Sequence, residues 1–492
     1  MALTARNDTA MTQSETATYP QSWYAATKIA APERPALSAD LDVDVCVIGG
    51  GFAGLTAARE IARSGWSVAL VEAGRLAGSA SGRSTGFVLP GFAAEPARLI
   101  DRVGFDQTRT LWSLAQTGLD YVRDTIAAEG AGGIDPEPGW LYVSKSDNGD
   151  ELLHYGKLLG QLGCDVEYWP VERVRAFLRS ERYFQAIHFP RAFSIHPLNY
   201  ALVLAAAAER DGARIFENTP ALSIDPAGVR KRIVTPHARL RADQVVLAGN
   251  IELRGLMPRL AATLIPITTY VITTQPIGSR LGEAVAYRGA VSDTDRADNH
   301  YRIVGGDRLM WSGRATTWAR NARHYVGALT ADIEKTYPQL GPVAAEFAWS
   351  GTLGNTVHRM PQIGELGPGV WLASGFGGHG LNTTALAGNL IARAVVHGDH
   401  IWRQFTPFEL VWAGGLLGRT AVQMRVWLKR LTEAAVERRA RGSERVRRQA
   451  RAGAVGGQGQ SIIPAQPADD FQSAPPETLA DAPGGDPLQR TQ

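Results

Sequence analysis

Asp42-Val-Asp-Val-Cys-Val-Ile-Gly49-Gly50-Gly51-Phe-Ala-Gly54-Leu-Thr-Ala-Ala-Arg-Glu60 is the stretch that decides the fold. Val43 to Ile48 is a nearly continuous apolar run, as a strand buried on both faces requires, and Phe52 to Ser64 follows with helical character. Between them glycine occupies the first, third and sixth places of a turn. Gly49 permits the tight turn, Gly51 lacks a Cβ so that backbone can approach a pyrophosphate, and Gly54 lets the helix pack close to the strand. The free N–H groups of the helix start and the positive end of its dipole then face phosphate charge. Such a turn alone is a weak signal, and a glycine turn that holds no phosphate is the alternative. A second strand, Ser67 to Glu72, strengthens it by ending in a carboxylate eighteen positions after Gly54. There a ribose 2′-hydroxyl would be held and a 2′-phosphate repelled, which disfavours NADP.

Two further loops favour FAD over NAD. Gly78-Ser-Ala-Ser81-Gly82-Arg83-Ser84-Thr85-Gly86 is dense in small residues that can lie along a long cofactor, with Arg83 available to phosphate or flavin. Far downstream, Gly375-Phe-Gly377-Gly378-His379-Gly380-Leu-Asn382 stands between a short strand and a helix, and its amides are suited to stabilising negative charge on a flavin pyrimidine ring.

The pattern outside these loops alternates short β-branched runs with longer helical stretches, an α/β architecture. Strands are expected at Arg214 to Glu217, Gln244 to Leu247, Thr268 to Thr274, Arg308 to Ser312 and Val370 to Ala373. Helices are expected at Thr108 to Ala128, Pro197 to Asp211 and Thr384 to Val396. Residues 1–21 read as a disordered leader and 442–492, rich in Ala, Pro, Gly and Gln, as a disordered tail. Between them the reading gives a discontinuous cofactor-binding domain (22–95, 190–255 and 345–404) interleaved with a smaller α+β substrate domain (96–189 and 256–344). A basic helical region (405–441) follows. Within it, Val422 to Leu431 places Met424, Trp427, Leu428 and Leu431 on one side. This reads as an amphipathic helix packed on its own body, with docking to a membrane surface or a protein partner as the alternative.

The 492 residues carry 51 Lys and Arg against 48 Asp and Glu, a formal charge of +3, so nucleic acid is not an expected partner. Cys46 and Cys164 have no spacing that would hold a metal, and no metal site is expected. With neither a signal-peptide pattern nor an apolar run of spanning length, the expected location is cytoplasmic.

Together, the GGGFAGL fingerprint, the ASGRSTG loop, RMPQIG (Arg359 to Gly364) and GFGGHG resemble the D-amino-acid-oxidase-like superfamily of FAD-dependent oxidoreductases, over roughly Ser22 to Arg430. Within it, SWYAAT (Ser22 to Thr27), the sequence His379-Gly-Leu-Asn382 and the basic C-terminal region are most similar to the gamma-glutamylputrescine oxidoreductases. The resemblance implies a Rossmann-like FAD domain of glutathione-reductase type. Gly49, Gly51, Gly54 and Glu72 would hold the ADP half of FAD, and Ser81, Gly82 and Arg83 would line its middle. The backbone at Ala221 would touch the adenine end, and Gly377, Gly378, His379 and Gly380 would lie by the flavin ring. Ser84 departs from the Asn frequent in the family.

The resemblance also implies the chemistry: oxidation of a C–N bond beside an amine by hydride transfer to flavin N5, with hydrolysis of the imine. Where sarcosine oxidase-like members carry a carboxylate-gripping Lys, this chain has Asn382, so an amine or acylated polyamine is expected rather than a simple α-amino acid. Neither cysteine, nor any His in the second loop, stands where relatives attach FAD covalently, so the FAD is expected to be non-covalent. Lysine occurs only at Lys28, Lys145, Lys157, Lys231, Lys335 and Lys429. An oxygen-activating Lys is therefore hard to place. Arg314 or His379 would serve instead, or electrons would pass to another acceptor; an oxidase is ranked ahead of a dehydrogenase. Tyr301 completes the catalytic candidates. Tyr270, His300, Arg302, Trp311 and Trp349 are candidates for the substrate pocket, where aromatic walls suit a cationic amine. A third reading, an NAD-dependent dehydrogenase, needs neither of the later loops.

Overall fold

A computed structural model of the chain describes residues 18–294 and 299–456. The expected leader before residue 18 and the tail beyond 456 lie outside the described residues. Leu41–Ile48 is the inner strand of a parallel sheet, flanked by Val68–Val71 on one side and Arg239–Leu247 on the other. Arg214–Phe216 and Val370–Ser374 extend it as further parallel neighbours, and Gln362–Gly367 closes one edge antiparallel. Every residue of Val68–Val71 and Val370–Ser374 is buried, as expected of strands covered on both faces.

The fingerprint helix Phe52–Arg63 covers one face together with Gly380–His397 and Pro197–Arg210. Close approach between the first two depends on Gly388, where a Cβ would fall 2.6 Å from Thr56 and 2.7 Å from the Ala53 carbonyl. The long helix Phe105–Glu129 packs on Gly380–His397 from the other side. Pro197–Arg210 starts as the sequence suggests, with Pro197 at its first position. His196 is its cap: Nδ1 accepts the Asn199 N–H at 3.1 Å, so Nε2 carries the proton toward Thr27 Oγ1 at 3.0 Å.

A second, nine-stranded sheet runs in the order Ala345–Asn355, Ile265–Thr274, Arg308–Thr316, His300–Val304, Ala290–Asp293, Glu137–Val143, Ala186–Ser194, Phe87–Val88, with Glu167–Trp169 paired to Ala186–Ser194. It has its own core, in which Tyr183, Tyr301, Trp311 and Tyr337 are wholly buried. Phe87–Val88 and Ala345–Asn355, expected in the cofactor domain, are hydrogen-bonded into this sheet. Two of the loops read as cofactor-binding are thereby tied to it: the second leads into Phe87, and Ala345–Asn355 runs toward the third.

The C-terminal helix differs from its expected form in two ways. It begins at Gly415 and continues to Gly456, past the point where composition suggested a tail, because Ala, Arg, Glu and Gln are strong helix formers. It also packs on the body through its polar side. Gln423 Oε1 accepts the Thr317 N–H at 2.8 Å, Arg419 donates to the Thr317 carbonyl, and Glu437 forms a two-pronged ion pair with Arg182 at 2.7 and 3.0 Å. Met424, Trp427, Leu428 and Leu431 are exposed instead.

Candidate active site

The first loop is a backbone cradle. Gly49 leaves the strand at φ +115°, a conformation that L side chains rarely adopt, and its N–H donates to the Val71 carbonyl. Gly54 packs so tightly that a Cβ would sit 2.0 Å from the Gly49 carbonyl oxygen. Gly51 caps the helix without a side-chain bond, and a Cβ there would lie 3.0 Å from Ser81 Oγ, which accepts the Phe52 N–H at 3.2 Å. The helix start thus presents its dipole and its remaining free amides to a surface bordered by glycines and the small Ser81 side chain, as a pyrophosphate needs.

Glu72 completes the cradle. Its Oε2 accepts the Gly50 N–H at 2.7 Å and its Oε1 the Gly74 N–H at 2.9 Å. Burial pushes its carboxyl pKa up, while the two N–H donors hold it down. The segment after Glu72 is zipped to Phe216–Thr219, where Thr219 N–H donates to the Glu72 carbonyl and Glu217 accepts the Leu76 N–H. Ala221 lies just beyond, partly buried on the core beneath the parallel sheet.

The second loop turns through a short 3-10 segment, Ser81–Arg83. Gly82 N–H donates to the Ala77 carbonyl, and Arg83 Nε to the Gly78 carbonyl at 2.7 Å. Burial lowers the Arg83 pKa and the Glu252 carboxylate opposes that, so an anion beside this guanidinium would relieve its desolvation. Trp349, expected in the substrate wall, donates Nε1–H to the Arg83 carbonyl at 3.0 Å and so braces this loop.

The third loop lies over the start of Gly380–His397, four residues earlier than periodicity suggested, so that His379 is the cap residue. Gly377 has φ +58°, and a Cβ there would meet Asn355 Oδ1 at 2.8 Å. Beside Gly378 and Gly380 there is open space. His379 is partly exposed yet enclosed by protein; burial drives its pKa down to about 4, and His300 adds to the effect. His300 in turn holds Ser292 Oγ at 2.8 Å through Nδ1 and faces the Phe87 ring edge-on. His379 on the helix cap and His300 on the second sheet are therefore close enough to influence each other electrostatically, and the surroundings of His379 disfavour positive charge.

Other candidates lie elsewhere. Asn382 is fully buried, with its Nδ2 donating to the Gly91 carbonyl at 2.9 Å, so it ties Gly380–His397 to the bend at Gly91, while its Oδ1 has no hydrogen-bond partner among the described residues. Arg302 is spent on the Ile195 carbonyl at 2.7 Å and on Tyr24. Arg314 pairs with Asp332 at 2.6 Å. Tyr301 stacks on Trp311 at 4.2 Å and shares a 2.6 Å hydrogen bond with Tyr337, and its pKa stands well above the ordinary value through burial. Trp311 donates to Asn299, and Tyr270 stacks on Tyr325 at 4.0 Å. Tyr270 and Trp311, expected as aromatic walls for a cationic amine, and Tyr301 belong to the core of the second sheet. Lys335 and Lys429 are paired with Glu437 and Glu433, away from the glycine loops in sequence and contact. Cys46 and Cys164 are buried thiols with pKa values pushed up to about 12 and about 11.

Sequence reasoning missed Asn250. At φ +52° it turns its Oδ1 to accept from Ser374 Oγ and the Gly375 N–H, both at 3.2 Å, locking the third loop to the end of Arg239–Leu247. An Asn three residues past the end of a parallel strand was the available signal, since Asn tolerates this conformation. A surface groove of about 470 Å³ bordered by Ile126, Pro138 and Phe193 includes none of the candidate residues.

The sequence matches the family described as DAO, FAD dependent oxidoreductase, over residues 44–394. It is 31% identical to gamma-glutamylputrescine oxidoreductase of Escherichia coli (strain K12) over 385 residues, 77% of this chain and 89% of that one. Glycine oxidase of Pseudomonas aeruginosa is 24% identical over 71% of this chain and 93% of its own. Among solved structures, glycine oxidase from Geobacillus kaustophilus superposes with a TM-score of 0.62 at 20% identity, covering 75% of this chain and 99% of that one.

Proposed function

The chain belongs to the DAO family of FAD-dependent oxidoreductases, and from that premise we propose that it oxidises the C–N bond of an amine, of the acylated-polyamine class named in its E. coli relative. FAD, when bound, supplies the acceptor, taking a hydride at N5 from the carbon beside the amine nitrogen. The chain's own residues supply the rest. The amides of the fingerprint helix, Glu72 and the loop of Ser81, Gly82 and Arg83 hold the cofactor without a covalent bond. The start of Gly380–His397 lends the positive end of its dipole to the third loop, where reduction adds negative charge.

The arrangement that carries the reading is the open face beside Gly378 and Gly380 at the start of Gly380–His397, capped by His379, whose pKa is pushed down to about 4 by burial. Surroundings that drive an imidazolium down to about 4 penalise an ammonium in the same way, so the amine is held neutral, with its lone pair free to assist hydride departure. Arg302 and Arg314, the cations nearest to the notion of a carboxylate grip, are engaged with protein groups, which supports an amine lacking an α-carboxylate. A second reading, a dehydrogenase that passes electrons to an acceptor other than oxygen, is favoured by the ion pairs that occupy Lys335 and Lys429.

Anaerobic bleaching of the bound flavin by a panel of amines, followed by admission of air, tests both. Bleaching by N-acylated diamines with prompt return of colour supports an oxidase, and slow return supports a dehydrogenase. Bleaching by glycine or sarcosine and by no acylated diamine overturns the substrate class.

A further inference from the structure

We propose that the outward face of the C-terminal helix, from Leu417 to Leu431, docks the protein onto an anionic lipid surface. A helix on a globular body ordinarily turns its apolar stripe inward. Here the order is reversed. Arg419, Gln423, Arg430 and Glu437 make the contacts with the body, through Thr317, the Ala315 carbonyl and Arg182. On the opposite side Leu417, Met424, Trp427, Leu428 and Leu431 are between 54% and 80% exposed. At 100° per residue, four of these, Leu417, Met424, Leu428 and Leu431, fall within about a sixth of the helix circumference, along about 21 Å of its length. Trp412, 66% exposed, stands just before the helix. An apolar stripe of this length on one element is a docking surface rather than scattered exposure.

Charge selects the occupant. The exposed charges beside the stripe are Arg425, Arg438 and Arg439, whereas Glu433 and Glu437 are turned toward the body. A second copy of the same face would set arginine against arginine. An anionic headgroup layer satisfies the arginines while the leucines and tryptophans enter the boundary between headgroups and chains, the arrangement of helices that lie in the plane of a membrane. No helix among the described residues is long and apolar enough to cross a membrane, so the contact is peripheral.

The test is co-sedimentation of the full chain with vesicles containing phosphatidylglycerol, compared with pure phosphatidylcholine. Each variant is first shown by thermal melting to be folded, and light scattering reports its oligomeric state. Binding to the anionic vesicles is expected, weakening with salt. Leu428→Glu with Leu431→Glu should reduce it at least tenfold. Arg425→Gln with Arg438→Gln and Arg439→Gln should reduce it about fivefold per arginine. The proposal is overturned by failure to sediment with either vesicle, by equal binding of wild type and the leucine double variant, or by an oligomer that the double variant dissociates. None of these readouts requires turnover, so the test stands apart from the assignment of substrate.

Discussion

The cradle around Gly49 and the cleft around His379 bound the same proposed site, yet they are built differently. The cradle is made by backbone: a helix start, a left-handed glycine and a carboxylate that gathers the amides of Gly50 and Gly74. The cleft is made by side chains from distant segments, His379 at the cap of Gly380–His397 and His300 on its strand, and its decisive property is the burial that disfavours positive charge on His379. A backbone site imposes its requirements on consecutive residues, whereas a side-chain site depends on how distant segments meet.

That difference sets what the sequence could disclose. The turn at Gly49, Gly51 and Gly54 was legible because each must be glycine at a particular spacing, whereas the sequence did not show that Glu72 gathers the amides of Gly50 and Gly74. The α/β order and the strand and helix centres were legible from periodicity. The assignment of Phe87–Val88 and Ala345–Asn355 to the second sheet was not, because a strand's partner is set by long-range pairing. Nor was the fate of Asn382, Arg302, Tyr301 and Trp311 legible. All look equally suited to a pocket in the sequence, and only the packing shows that each is occupied by other protein groups.

The comparison can be broken most severely at Gly54. Gly54→Val places side-chain atoms against the Gly49 carbonyl and should cost more than about 3 kcal/mol, with loss of bound flavin, read by thermal melting and visible absorbance. Glu72→Ala leaves two loop amides without their charged acceptor. At about 1.5 kcal/mol or more for each such bond it should lower stability by about 3 kcal/mol and loosen flavin, measured by thermal melting and by flavin fluorescence on dilution. If either variant keeps its flavin fully, the cradle is not the anchor.

Asn382→Ala sharpens the boundary of the cleft. Loss of a buried hydrogen bond should lower stability by about 1–3 kcal/mol while the amine KM stays within about twofold, whereas a raised KM with unchanged melting would return Asn382 to the substrate. The smallest effect concerns His196, which shares the depressed pKa of His379 but caps a helix and bonds Thr27. Its folded pKa, about 3, lies below its ordinary 6.5 through burial, so its contribution to stability is complete above pH 6.5 and is lost as pH falls toward 3. His196→Asn keeps a good cap and should be near neutral at pH 7. At pH 5.5 it should be about 1 kcal/mol more stable than wild type relative to that baseline, in denaturant titrations at the two pH values.

The central claim is that the cleft rejects positive charge, so that the amine reacts in its neutral form. The pH dependence of the second-order rate of anaerobic flavin bleaching by an N-acylated diamine tests it most directly. The rate should climb about tenfold per pH unit from pH 6 toward the amine's own pKa near 10. A rate that levels off above about pH 7, as a histidine of ordinary pKa acting as base would impose, contradicts the account.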